Sequence, residues 1–312
     1  MKSGWDWLRW FRFLMRSETK MYQELIETYG DKVDYFVHHL LDMDNYFKDD
    51  DARFDYVTEQ IPRMLELTRK SNGRLICFIG FDPKRKDSLK IVKQAIASGA
   101  RGVKFYPPLG YKPIGNRDKS IDDKNKELFS YCIDHDIPVF THCTPKGFES
   151  SPNKSGKNAD PKHWLKLLKD PDFSNLRLCL GHAGGVSGWF EANTEEGDKE
   201  WKKSYAANVY KLCTNYPNVF CEIGFLSDIY DLPKMEHFAE RLIHLFNDTK
   251  VKYPFTEKIM YGSDWHLLFN EGLESSYLNR YEELFNRPEF VQYERRFFDG
   301  NARNYLNLTP IP

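Results

Sequence analysis

LRLCLGHAGG, residues 176–185, is a short apolar run that stops on a histidine and a pair of glycines. Such a run, bounded by turn residues, reads as a strand buried on both faces. The pattern recurs. VDYFVHHLLDMD (33–44), GRLICFIGFDP (73–83), RGVKFYPP (101–108), IPVFTHC (137–143), NVFCEIGF (218–225) and KIMYGSDWH (258–266) complete a set of seven. Between them lie stretches with apolar residues at helical spacing. The clearest are VTEQIPRMLELTRK (57–70), SLKIVKQAIAS (88–98), KNKELFSYCIDH (124–135), WLKLLKD (164–170), YAANVYKLCTN (205–215) and MEHFAERLIHLFND (235–248). Strands that alternate with helices pair in parallel through right-handed crossovers.

Seven such units suit either a barrel or an open doubly wound sheet, and the polar residues decide between them. Asp42 and Asp44, Asp82, Lys104, His142, His182, Glu222 and Asp264 stand at the C-terminal ends of nearly every run. Functional groups at the ends of many strands are what a barrel offers. An open sheet gathers its ligand at one switch point, commonly on a glycine-rich phosphate loop, and no G-x-G-x-x-G follows the first run. The expected fold is therefore α/β, a (β/α)8 TIM-barrel-like arrangement. The longest irregular stretches, 109–123, 144–163 and 186–201, follow Lys104, His142 and His182. They should overhang the barrel mouth. No low-complexity linker divides the chain, so one domain is expected over 1–312, with 1–32 as an N-terminal helical segment.

Composition excludes some partners. Lysine and arginine number 45 against 46 acidic residues, a net charge of −1. That balance gives no general attraction to nucleic acid or an anionic membrane. The mean hydropathy is −0.64, and no apolar run approaches the roughly 20 residues that span a bilayer. Six cysteines include no C-x-x-C pair. Cys77, Cys179 and Cys221 lie inside strand-like runs, which indicates reduced thiols and a cytoplasmic protein. The opening MKSGWDWLRWFRFLMRSETK (1–20) lacks the cleavage site of a signal peptide. It reads as a helix packing aromatic residues on its own chain, with an interfacial membrane helix as the alternative. Residues 153–155 match the glycosylation pattern N-x-S by sequence only. A homo-oligomer stays open.

The candidate chemistry gathers on three residues. A lone histidine at a strand end is more often structural than catalytic. His142 and His182, however, end successive strands and would converge in a barrel, with Asp264 two strands further on. Imidazole and carboxylate ligands suit zinc or another divalent transition metal. Lys104, Glu222 and His266 are candidate substrate-binding residues at the same mouth. Glu222 has an interior ion pair as its alternative, and His266 an orienting or surface position.

VKFYPP, PVFTHC, LGHAGG and MYGSDWH, followed by FFDGNARNYLNL (297–308), together resemble the amidohydrolase superfamily. More narrowly they resemble its branch of metal-dependent hydrolases and carboxylate decarboxylases, over about residues 33–308. The resemblance implies a (β/α)8 barrel with a metal site. It implies His142 as a metal ligand, and His182 as a second ligand or the group that polarises substrate or water. It implies Asp264 as a ligand or general base. Lys104 would stand where some members carry a carboxylated lysine bridging two metals, or would bind a substrate carboxylate unmodified. Members of the family open with a strand ending in His-x-His, and this sequence contains no H-x-H. His38 and His39 are adjacent and should point to opposite faces, whereas Asp42 and Asp44 should share a face near the strand end and line the pocket. The expected barrel thus lacks its first strand, as a truncated form or as a natural member without that strand. Such a barrel leaves a seam, to be covered by residues 1–20 or by a second chain.

The expected activity is metal-dependent hydrolysis of a small polar or carboxylate-bearing molecule, with zinc as the expected metal. Asp264 would take a proton from water and His182 would stabilise the developing oxyanion. The alternatives are a metal-dependent non-oxidative decarboxylase and a non-catalytic barrel that binds a ligand or partner.

Overall fold

A computed structural model describes residues 16–46, 54–151 and 154–308. The aromatic opening 1–14 and Asn153 of the N-x-S pattern lie outside the described residues. Among the described residues, seven strands form one parallel sheet in chain order. They are β1 (Phe36–His39), β2 (Leu75–Phe81), β3 (Gly102–Phe105), β4 (Val139–Thr141), β5 (Leu178–Leu180), β6 (Val219–Glu222) and β7 (Ile259–Met260). The apolar strand residues are buried on both faces of the sheet from β2 to β7, which requires a layer on each side.

The outer layer is helical. It comprises α1 (Glu18–Tyr29), α2 (Ile61–Lys70), α3 (Ser88–Ala97), α4 (Lys119–Asp134), α5 (Pro161–Leu168), α6 (Glu195–Lys203), α7 (Tyr205–Asn215), α8 (Leu232–Phe246), α9 (Trp265–Glu271), α10 (Tyr277–Phe285) and α11 (Asn301–Leu306). Helix α6 begins inside the stretch 186–201 that periodicity leaves irregular. Its sequence, EEGDKEWKK, carries almost no apolar face. Acidic residues in its first turn and lysines in its last match the helix dipole, and Thr194 caps it. Caps of this kind recur: the Asp231 carboxylate accepts the Lys234 N–H at 3.1 Å and starts α8. Asp231→Ala is expected to lower stability by about 1 kcal/mol in a denaturant titration.

The inner layer is the barrel interior. Ile76, Phe78, Phe140, Cys179, Phe220 and Met260 meet there, and Tyr305 and Leu306 of α11 close the N-terminal end of the barrel. Large and small residues alternate around this interior. The Phe78 ring lies over Gly102, the Phe140 ring over Gly181, and the Glu222 carboxylate over Gly262. A Cβ at any of these glycines would overlap the neighbouring side chain.

Strands β1 and β7 are the edges of the sheet and do not pair with each other. Helix α1 lies across the gap between them. Tyr22 and Tyr29 pack on Phe36 of β1, with ring centroids 6.4 and 6.0 Å apart. At the other side, Lys32, just beyond α1, pairs with Glu282 of α10 at 3.0 Å. Behind α1 a cavity of about 1780 Å3 runs from the mouth down to Tyr305 and Leu306.

The stretch 33–44 becomes a strand over only four residues. Asp42 and Asp44 follow it and do not line the cavity. Arg85, from the loop after β2, bonds Asp42 through Nε and Nη2, each at 2.6 Å, and Asp44 at 2.9 Å. A guanidinium fork matches a carboxylate in this bidentate way, so both aspartates tie two loops together instead of facing a ligand.

Candidate metal and active site

Three strand ends carry residues in the left-handed region: His182 after β5 (φ 58°), Phe225 after β6 (φ 56°) and Asp264 after β7 (φ 52°). Each such residue costs of order 1–3 kcal/mol and persists only where its surroundings hold it. Glu222 supplies part of that hold. Its Oε1 accepts the His182 N–H at 2.6 Å and its Oε2 the Gly224 N–H at 2.5 Å. Gly184, also at positive φ, lies so close to Tyr205 and Ala206 that a Cβ would strike their backbone. The turn of His182 is thereby pressed on the start of α7.

His142 and His182 come together as the sequence predicts. His182 Nε2 stands 3.1 Å from His142 Nδ1. The outer nitrogens both meet carbonyl oxygens: His142 Nε2 meets Lys146 O at 2.5 Å, and His182 Nδ1 meets Gly224 O at 2.9 Å. A carbonyl only accepts, so each outer nitrogen carries the proton of its ring. Thr144 is consistent with this, because its hydroxyl donates to Lys146 O at 2.8 Å and so turns a lone pair to His142 Nε2 at 3.0 Å. Burial, and then the neighbouring His182, push the His142 imidazole well below its ordinary pKa, which keeps it neutral. The inner nitrogen of the neutral His142 ring therefore turns its lone pair to His182 Nε2. Only an added cation, a proton or a metal ion, makes that contact favourable.

This donor pair fits a divalent metal. Two imidazoles on one tetrahedral zinc stand roughly 3.3 Å apart. Outer N–H groups anchored on carbonyls are the usual second support of metal-binding histidines. Among the described residues no group of three His, Cys, Asp or Glu converges closely enough to hold a metal on its own. Asp264 Oδ2 stands 4.0 Å from His182 Nδ1, while its Oδ1 meets His266 Nδ1 at 3.2 Å.

The remaining candidates face the same cavity in different ways. Lys104 lies buried with its ammonium 4.1 Å above the Phe140 ring. Burial, partly offset by Asp264 and Glu222, pushes it down to about 8. Glu222, expected as a substrate-binding residue or an ion-pair partner, instead commits both oxygens to backbone N–H groups. His266 is half exposed at the rim.

Sequence reasoning passes over Tyr106 and takes His39 no further than the face opposite His38. Tyr106 packs on His142 at 4.8 Å and accepts the Phe148 N–H at 2.9 Å. It was legible only as a tyrosine two residues after Lys104. His38 and His39 do take opposite faces, and His39 turns into the barrel against Phe140 at 4.0 Å. His38 Nδ1 and His39 Nε2 are sealed from solvent without a hydrogen-bond partner. Burial pushes His38 down to about 4 and His39 well below the usual range. Unfolded histidines bind protons near 6.5, so unfolding takes up protons between about pH 6.5 and 4. Stability should fall on acidification through that window, by about 1.4 kcal/mol per pH unit for each fully titrating histidine. His38→Phe should flatten the slope, read from unfolding titrations at several pH values. An unchanged slope would show that His38 is not buried neutral.

The family model described as amidohydrolase matches residues 47–303. The chain belongs to the amidohydrolase family. No curated protein sequence matches it. Among solved structures, an amidohydrolase from Burkholderia multivorans with bound zinc is 13% identical. The match covers 96% of this chain and 92% of that one, with a TM-score of 0.60. A probable 2-pyrone-4,6-dicarboxylic acid hydrolase from Acinetobacter baumannii with bound citric acid is 12% identical over 93% and 88%, with a TM-score of 0.56. The third is 5-carboxyvanillate decarboxylase from Novosphingobium aromaticivorans, with manganese and 4-hydroxy-3-methoxy-5-nitrobenzoic acid. It is 14% identical over 94% and 80%, with a TM-score of 0.56. These three structures share the barrel fold with the chain. Among the described residues no helix is long and apolar enough to cross a membrane.

Proposed function

We propose that this amidohydrolase-family chain is a metal-dependent hydrolase of a small carboxylate-bearing molecule, acting from one barrel domain. The observation that carries the reading is the pair of inner ring nitrogens of His142 and His182, which face each other at 3.1 Å. Those two nitrogens would hold a divalent metal, zinc or manganese by analogy with the metals named for the similar structures. Bound there, such an ion supplies polarisation of a carbonyl or acidification of a water.

The chain's own groups divide the remaining work. His266 steadies Asp264 Oδ1, which leaves Oδ2 to take a proton from water. Glu222 fixes the His182 turn through the backbone. Lys104 meets the substrate across the cavity. Lys146 and Lys203 line the same cavity and suit a carboxylate. Phe148 and Val186 line it also and are 49% and 39% exposed, which suits an apolar or aromatic body.

Decarboxylation is the second reading, favoured by the similarity to a decarboxylase and by those exposed apolar residues. The test is a screen of aromatic carboxylates and their lactones or amides, run before and after chelation. A hydrolase opens the lactone or amide to the free acid without releasing carbon dioxide, and a decarboxylase releases it. Activity is expected to vanish on chelation and to return with zinc or manganese. Turnover untouched by a chelator that has stripped the metal would end the proposal.

A further inference from the structure

Lys104 presents a problem of its own. Its side chain rises from β3 into the barrel interior, in register with Gly80 on β2 and Phe140 on β4. On one side the backbone of Leu40, Leu41 and Asp42 closes over Gly80. On the other, Nζ stands 4.1 Å from the Phe140 centroid and 5.6 Å from that of Tyr106. The residue is 6% exposed, yet it lines the large cavity. Neither acid nearby is a counter-ion. Glu222 is committed to backbone N–H groups. Asp264 pairs with His266 and acts on Lys104 only from beyond ion-pair distance. A lysine in an apolar cage, without a carboxylate partner among the described residues, holds a larger share of the free amine, the nucleophilic form, than an exposed lysine does.

We propose that Lys104 is a nucleophilic amine that captures a small aldehyde or ketone in the cavity as an imine. The Nζ lone pair attacks the carbonyl carbon and forms the C–N bond. The carbonyl π pair moves to oxygen, and one nitrogen proton passes to that oxygen to give a carbinolamine. The hydroxyl then leaves as water with a second nitrogen proton, and the C=N bond closes. One carbonyl and one amine become one imine and one water, with no oxidant or reductant. Asp264, across the same cavity, is the group placed to relay these protons. The Phe140 and Tyr106 rings stabilise the cationic, protonated imine as they do the ammonium. The substrate of the proposed hydrolase thereby acquires a class, a carbonyl compound held covalently. The inference rests on that reading only for the identity of the cavity as the substrate site, and needs no metal.

The test is reductive trapping on the intact, folded chain at neutral pH. Glyoxylate as the aldehyde and pyruvate as the ketone are each added with cyanoborohydride, and modified lysines are located by peptide mass mapping. Lys104 is expected to be alkylated at least about tenfold faster than a solvent-exposed lysine such as Lys70. Lys104→Met should lose that modification and no other. Alkylation of Lys104 no faster than Lys70, or none at Lys104, overturns the proposal. The wild-type map decides the matter even where the variant folds poorly. The map reads a covalent bond and not turnover, so failure of the hydrolase reading leaves a distinct result.

Discussion

His182→Asn is expected to weaken zinc binding by at least about 100-fold. Loss of a mere outer partner of a metal-binding histidine costs roughly 10–100-fold, and here one of two facing ring nitrogens disappears. Asparagine is the informative replacement because His182 sits at φ 58°. Asparagine tolerates the left-handed region better than most residues, so the turn below it survives. The backbone N–H at 182 still reaches Glu222, and the rest of the site keeps its geometry. Competition against a coloured chelator reads the affinity. His266→Ala is the contrast: it removes a rim imidazole that meets only Asp264 Oδ1, and its effect should stay below about tenfold. Equal zinc affinity in wild type and His182→Asn would exclude the histidine pair as the metal site.

Gly262→Ala is the second large effect. The added methyl has no space, because the Glu222 carboxylate lies directly over the Gly262 Cα. Either β7 retreats or Glu222 swings away and abandons the N–H groups of His182 and Gly224. Overpacking a tight interior costs about 1–3 kcal/mol. Each buried donor left without its acceptor adds about 1–3 kcal/mol. A loss of about 3 kcal/mol or more in unfolding free energy follows, read as a lowered midpoint in denaturant. The double variant Gly262→Ala with Glu222→Ala removes the clash, so it should lose less than the sum of the two single changes. Additive losses would mean that the two residues do not press on each other.

The parts of this molecule that could be read from sequence are those governed by local pattern. Seven strands announce themselves as apolar runs, and the polar residues at their ends mark the mouth of a barrel. Strand parity alone puts His38 and His39 on opposite faces of β1. Long-range pairing is what pattern cannot show. Asp42 and Asp44 look like pocket residues until Arg85, about 40 positions away, takes both of them. Glu222 was found, but its task depends on backbone N–H groups turned inward by left-handed residues, and no motif encodes that. Helix α6 escapes the pattern because Trp201 alone in its sequence packs on the core, beside a cap and ordered charges. The relation of Lys104 to the Phe140 ring needs the register of β3 on β4. That register is a property of the assembled sheet.

The most direct measurement is X-ray absorption at the zinc edge of the zinc-loaded chain, compared with His142→Ala and His182→Asn. Wild type is expected to bind about one zinc with two imidazole nitrogens at roughly 2.0–2.1 Å, and each variant should lose an imidazole from that shell. A zinc shell without imidazole, or one unchanged in both variants, would contradict the placement of the metal between His142 and His182.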